Sequence, residues 1–505
     1  MLSIKGLFLS CVMTFLLLPR SLASLPTRAK QDHAQSSAHG KQSKKGEEAG
    51  DQISPELSSL LFQARSVPAE FRSDALTRIA LSNLVKTSTL RAELLEEAYE
   101  SASGAKFPVK KSAFDTMIVD TRLGYMAGAY DLNLDSLSLR CRGINALLKI
   151  DDAKARELFA QISISELIKD RMSCQDGLIY DVAPYYETLA SVARSFNKKQ
   201  IAEGRATEIV EDSVYSIISP VQLAPVAQNL MSLELSMDDL SRLGGIFCQK
   251  LRELPSDCRA VSASAFSSTD SIHDLASYFE KRGLNSYSRL VSESYRDYMV
   301  KSLSGRVCAD VAGQPGQLPS IVRRANAQVF RSRPIVLDQI KSLGVDPAFQ
   351  PVPYWTSTIS KRLLEAVQAL RFGGSGSEQL SKTDRETFEW TDDFNRVMKQ
   401  LGDWKSTDEP SEEDYLNEKA VIFNALLELD PSETLQSEVM EKLIRFLDEF
   451  SLDRVGPAEW FWHVEAILHR AGGSDKKLKN IALTKLSASK IPVLALYATL
   501  ISDGL

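Results

Sequence analysis

From Ser54 to the C-terminus, apolar side chains recur every three or four positions in segment after segment, and that period admits one local geometry. Phe71, Ala75 and Ile79 recur alongside Leu76, Ala80 and Leu84; a little further on, Leu90, Leu94, Ala98, Tyr99 and Ala102 do the same. At about 3.6 residues per turn each set falls on one stripe, so both segments read as amphipathic helices. Only Lys86-Thr87-Ser88 separates them, and a connection that short forces two helices to pack antiparallel. The series opens at Ser54-Pro55-Glu56, where an N-cap serine precedes a proline at the first helical position and an acid in the first turn. Ser236 to Asp239 and Ser411 to Asp414 carry capping-box spacing.

The same pattern predicts helices near 135–149, 152–162, 180–196, 204–218, 222–233, 237–253, 272–282, 286–303, 316–330, 357–371, 384–401, 412–429, 433–450, 457–471, 476–487 and 491–502. Thr116 to Val119 alone reads as a strand, and it is too short, with no partner nearby, to be more than a loop or an isolated extended piece. The expected fold class is therefore all-α, with antiparallel helical hairpins stacked as an irregular α-solenoid and a helical C-terminal unit. Glycine, proline and serine clusters interrupt the pattern at 305–320 and 331–356, and Gly373-Gly374-Ser375-Gly376-Ser377 reads as a hinge. The chain divides accordingly into a helical-repeat domain at 53–372, a hinge at 373–382 and a C-terminal helical domain at 383–505. Phe423, Leu427, Leu443 and Phe446 are among the core positions expected in the latter.

What precedes Ser54 is of another kind. Lys5 leads into an uncharged apolar run from Leu7 to Leu18, and small residues follow at Ser21-Leu22-Ala23, which is the layout of a secretory signal peptide at 1–23. The run is shorter than the roughly 20 residues that cross a bilayer, and no later run is long enough, so no membrane span is expected in the mature chain. Residues 24–52 are rich in Lys, Gln, Ser, Gly and Glu and nearly without large apolar side chains, the composition of a disordered polar linker. Removing Lys5 and Arg20 would take the net charge from −6 to −8, which offers no global attraction to nucleic acid. A secreted or periplasmic location is the expectation.

Export would place the cysteines in an oxidising compartment. Cys248 and Cys258 sit at the end of a predicted helix and in the polar stretch after it, and Cys141 and Cys174 flank a predicted hairpin. Both pairs are candidate disulfides, with buried free thiols as the alternative.

Around the hairpin from Leu139 to Ile162, Gly143, Ala155 and Phe159 stand where a tetratricopeptide repeat has its glycine, alanine and phenylalanine. Leu139, Arg142 and Ala146 stand where that repeat has its early aromatic, its leucine and its tyrosine. The hairpin is thus similar to a degenerate member of the tetratricopeptide-like α-solenoid class, and the resemblance implies a groove that binds peptides or proteins.

Chemistry-bearing motifs are scarce. The chain has no P-loop, GxGxxG, HExxH or GxSxG, so no cofactor and no catalytic residue is expected from a motif. The densest unusual cluster is Trp460-Phe461-Trp462-His463, with His469 beyond it. Two helical histidines six apart point about 120° away from each other and do not share a metal. Trp460, Trp462 and His463 remain a possible ligand-contact shelf, or else the anchor of an inter-helix contact. Paired acids at Glu96-Glu97, Asp238-Asp239 and Glu412-Glu413-Asp414 are the raw material of a glycan hydrolase, although they lie in first turns and on polar faces. The leading expectation is a non-catalytic exported protein that binds a protein, a peptide or cell-wall material. The alternative is an extracellular glycan-directed hydrolase built on paired carboxylates.

Overall fold

Ser54 opens the first helix as its spacing requires: its side-chain oxygen accepts from the Leu57 amide at 3.1 Å, and Pro55 occupies the first helical position. The structure, a computed structural model, describes residues 53–112, 129–169, 178–257, 260, 265–306, 317–341, 354–373, 380–381, 384–409, 411–450, 460–464, 467–468 and 476–505. The leader and linker, Thr116 to Val119, Cys174, Cys258, His469 and most of the glycine-rich hinge lie outside the described residues.

The chain is predominantly helical. Helices α1 (Pro55–Arg65), α2 (Ala69–Leu81) and α3 (Ser88–Ala102) come first. A two-residue strand β1 (Lys111–Ser112) follows, then α4 (Ser136–Leu147), α5 (Asp152–Ala160), the single turn α6 (Ile164–Leu167) and β2 (Leu178–Ile179). After these come α7 (Ala183–Arg194), α8 (Lys198–Ala202), α9 (Arg205–Tyr215), α10 (Leu223–Ser232) and α11 (Met237–Glu253). Next are α12 (Ala265–Lys281), α13 (Asn285–Leu303) and α14 (Gln317–Gln328). The C-terminal part holds α15 (Thr358–Phe372), α16 (Phe388–Asp403), α17 (Glu412–Glu428), α18 (Glu433–Asp448), helical residues at 460–464, α19 (Lys476–Ser487) and α20 (Pro492–Ser502).

The serines expected at capping boxes do cap: Ser236 accepts from the Asp239 amide at 3.1 Å and Ser411 from the Asp414 amide at 3.0 Å. The return bond differs from the expected one. Each aspartate takes the serine hydroxyl, at 2.7 Å and 2.6 Å, where a full capping box would have it take the serine amide. The one strand pair was not expected. Lys111 pairs with Ile179 and Ser112 with Leu178, antiparallel, with Lys111 Nζ 3.1 Å from an Asp181 carboxylate oxygen.

Neighbouring helices pack in a regular succession. α3 touches α2 and α4, α4 touches α7, α7 touches α9 and α10, α10 touches α12, and α12 touches α13 and α14. A second line of contacts joins α9 to α11 and α11 to α13. Phe279 of α12 seats against Gly244 of α11, where a Cβ would stand 2.6 Å from the ring. Only glycine admits that approach. In the C-terminal part α15 packs on α16 and α17, although the hinge separates it from both in sequence; α17 packs on α18, α18 on α19, and α19 on α20.

The two ends of this succession meet. α20 packs against α1 and α2, and Phe71, Phe461 and Tyr497 form an aromatic knot with ring centroids 4.9 to 6.1 Å apart. A single apolar cluster consequently runs from Leu57 to Leu500, with Phe423, Leu427, Leu443 and Phe446 inside it. Burying a ring such as that of Phe71 contributes about 2–3 kcal/mol each time, so closure of the ends is a substantial part of what holds the chain together.

Candidate functional site

Where the two ends meet, the core contains a carboxylate. Asp74 of α2 is 1% exposed. It accepts from Arg78 Nε at 2.7 Å, from Tyr497 Oη at 2.7 Å and from Arg142 Nη1 of α4. Burial pushes its carboxyl upward, but the guanidiniums of Arg78 and Arg142 and the bonds from Tyr497 and Arg78 outweigh that and hold it below the ordinary range. Asp74 is therefore an anion throughout neutral pH. The Tyr497 hydroxyl is driven well above its ordinary value, first by burial and then by the Asp74 charge, and stays protonated as a donor.

Arg142 carries this network to the surface. Asp135 caps α4, accepting from the Leu137 and Ser138 amides at 2.9 Å each, and that start fixes the phase of the helix. Arg142, Asn145 and Ala146 then fall at i, i+3 and i+4 along one stripe, and Lys149 follows in the turn just past the last helical residue, Leu147. Together with Leu81 at the end of α2, Leu148, and Ser191 of α7, they line a surface pocket of about 440 Å³. Asn145 also donates to Thr188 Oγ1 of α7 at 2.8 Å, which holds the wall in place. Arg142 is 37% exposed and its second terminal nitrogen donates to the Asn133 carbonyl at 3.3 Å. Leu81 is 53% exposed, and Lys149 is exposed with no ion pair among the described residues. The lining thus combines two cations, an amide and a hydroxyl with apolar side chains, and contains no acid.

The residues singled out from sequence lie elsewhere. Trp460 and His463 are fully buried, and Trp462 is half-buried with its ring 4.9 Å from the imidazole. His463 Nε2 lies 2.9 Å from Asn417 Oδ1 of α17, its carbonyl accepts from Asn424 Nδ2 at 3.1 Å, and the Trp460 indole donates to the Leu447 carbonyl of α18 at 3.5 Å. Burial lowers the imidazole to about 3, so it is neutral in any physiological medium. In these positions Trp460 and His463 anchor their helix to α17 and α18 and offer no face to an external ligand.

Three of the paired acids are taken up by cations. Glu97 takes a bidentate bond from Arg65 at 2.8 and 2.7 Å, Glu96 lies 3.4 Å from Lys154 Nζ, and Asp239 pairs with Arg242 at 3.3 Å. Cys141 and Cys248 are buried free thiols, each pushed up to about 12 by burial, and their candidate partners Cys174 and Cys258 fall outside the described residues. Among the described residues no group of histidine, cysteine and acidic side chains could hold a metal ion, and no helix is long and apolar enough to cross a membrane.

A second buried polar cluster was not anticipated either. Asn417, Glu418 and Lys419 are consecutive on α17 and all buried. Glu418 accepts from the Thr356 amide at 2.7 Å and its hydroxyl at 2.9 Å, and burial raises its carboxyl above the ordinary range. Lys419 donates to the Trp404 carbonyl at 2.7 Å and to Tyr415 Oη at 2.8 Å, with the rings of Tyr415 and Phe446 about 5 Å from its nitrogen. Burial lowers its ammonium to about 8, against the upward pull of Glu449 and Asp408.

Comparison of the chain with family models, with curated proteins and with solved structures found no match. The chemistry of the pocket is accordingly argued from its own residues.

Proposed function

We propose that the chain is an exported, non-catalytic helical-array protein that binds a protein or peptide partner, with the pocket between α2, α4 and α7 as its contact point. The observation that carries this reading is the pocket's lining: two cations, one of them held in place, beside the exposed Leu81 and half-buried Leu148, without two facing acids. The succession of contacts along α3, α4, α7, α10, α12 and α14, flanked by α9, α11 and α13, supports a stack of hairpins in the manner of an irregular α-solenoid. Export rests on the leader-like first 23 residues.

Photo-crosslinking in the native host tests the reading. A photoreactive side chain at Leu81 is expected to capture a polypeptide, while the same group at Phe388, which is 88% exposed but outside the pocket, is not. Capture at neither position, or equal capture at both, removes the pocket as the contact point.

A further inference from the structure

The pocket's charge and the way that charge is held point to the partner's chemistry. We infer that the pocket takes an acidic peptide segment, with an aspartate or glutamate carboxylate on Arg142 and Lys149 and an apolar side chain against Leu81 and Leu148; this rests on the pocket being the contact point proposed above. In a chain of net charge −6, the lining here is two cations and no acid, so a carboxylate is attracted locally where the molecule as a whole would repel it.

Asp74 supplies the second argument. A buried carboxylate between two arginines gives no more stability than apolar side chains of the same volume would. What it does give is a fixed guanidinium: Arg142 is held by Asp74 and by the Asn133 carbonyl, with more than a third of its side chain still open to the pocket. An arginine restrained in this way binds a carboxylate with little loss of its own freedom. Lys149, exposed and free of ion pairs among the described residues, provides the second charge. An extended polyanion fits less well. Nucleic acid needs a run of cations and stacking aromatics, and the lining has neither.

Binding of fluorescent twelve-residue peptides to the full mature chain at low salt tests the assignment. The probes are a pool rich in Asp, Glu and Leu, an isosteric pool with Asn and Gln in place of the acids, and a Lys-rich pool; a single-stranded oligonucleotide and phosphatidylserine vesicles serve as competitors of other classes. The acidic pool is expected to bind, the isosteric pool about tenfold or more weaker, and Lys149→Glu to lose a similar factor for the acidic pool alone. Lys149 is exposed, so its reversal does not threaten the fold. Equal binding of the acidic and isosteric pools overturns the acidic assignment and leaves peptide binding standing. Acidic binding untouched by Lys149→Glu places the site elsewhere and overturns it as well. Stronger binding of oligonucleotide or vesicles, lost in Lys149→Glu, assigns the pocket to that class instead. No binding of any peptide pool, with crosslinking at Leu81 also absent, removes both this inference and the function it rests on.

Discussion

Among the polar clusters that the molecule buries, the one at the junction of its ends and the one inside its C-terminal part are built on opposite terms. At the junction Asp74 has three donors from three helices, and two of them, Arg78 and Arg142, reach the surface. On α17, Asn417, Glu418 and Lys419 bond to residues near and within the C-terminal part, and Asn417 Nδ2, Glu418 Oε2 and His463 Nδ1 have no hydrogen-bond partner among the described residues. The first network is saturated with opposite charge and tied to a pocket. The second contains a cation among aromatic rings with no carboxylate bonded to it among the described residues. Burial of a polar residue is thus no sign of function by itself; what distinguishes the junction is that its buried carboxylate is answered by two guanidiniums that both reach solvent, one of them in the pocket.

The sharpest way to break this comparison is to remove the central carboxylate. Asp74→Ala leaves two guanidiniums and the buried Tyr497 hydroxyl without their acceptor. Since both arginines are partly exposed and can turn to water, the expected cost is about 3 kcal/mol, at the low end for a broken buried pair, read as a fall in the urea midpoint. A midpoint unchanged from the parent would make the junction an incidental contact. Lys419→Met is expected to act in the other direction. The folded lysine titrates at about 8 and an unfolded one near the ordinary value of 10.5, so the folded state binds fewer protons between those values and stability rises with pH there. Below pH 8 the parent carries the full cost of the buried charge, at most about 3 kcal/mol from the size of the shift. The variant, which leaves the Trp404 carbonyl bonded to Tyr415 Oη at 2.8 Å, should therefore be about 2 kcal/mol more stable at pH 7. Its advantage should shrink as the pH climbs from 8 toward 10.5. Thermal unfolding of both proteins across that range checks the sign.

Neither cluster was legible in the sequence, and the reason is the same for both. Helical period identifies which residues share a stripe, and on that basis Phe71, Ala75 and Ile79 or Phe423 and Leu427 were placed in the core where the structure has them. The period cannot say whether the opposite stripe is covered by a further helix. Glu70, Asp74 and Thr77 share the polar stripe of α2 and are nonetheless buried: Tyr497 of α20 reaches Asp74, and the Lys106 amide donates to Glu70. Asp74 and Tyr497 are 423 positions apart, and no local pattern marks such a pair. The β1–β2 ladder escaped notice because two residues are too few to alternate. At the end of α4, by contrast, the i, i+3, i+4 spacing of Arg142, Asn145 and Ala146, with Lys149 just past the helix, is visible in the sequence. Arg142 and Lys149 are the one local signal of the pocket, and two cations seven positions apart are too few to mark a basic patch.

The gentlest test addresses how far the C-terminal helix supports the junction. Tyr497→Phe removes one hydroxyl from a fully buried ring and leaves the aromatic contacts with Phe71 and Phe461 in place. A hydrogen bond to a charged acceptor contributes about 1.5 kcal/mol, so a loss of that order is expected at pH 7. The pH dependence separates this account from a simple packing defect. Asp74 has a depressed folded value, so its contribution is fully present above the ordinary carboxylate range and is lost as the pH falls through the folded value. Once Asp74 is protonated, the hydroxyl faces a neutral acceptor and its bond weakens, so the deficit of Tyr497→Phe should narrow on acidification below the ordinary carboxylate range. A deficit constant from pH 7 down into acid would mean that the hydroxyl merely fills space, and that α20 is held to α2 by its apolar side chains alone.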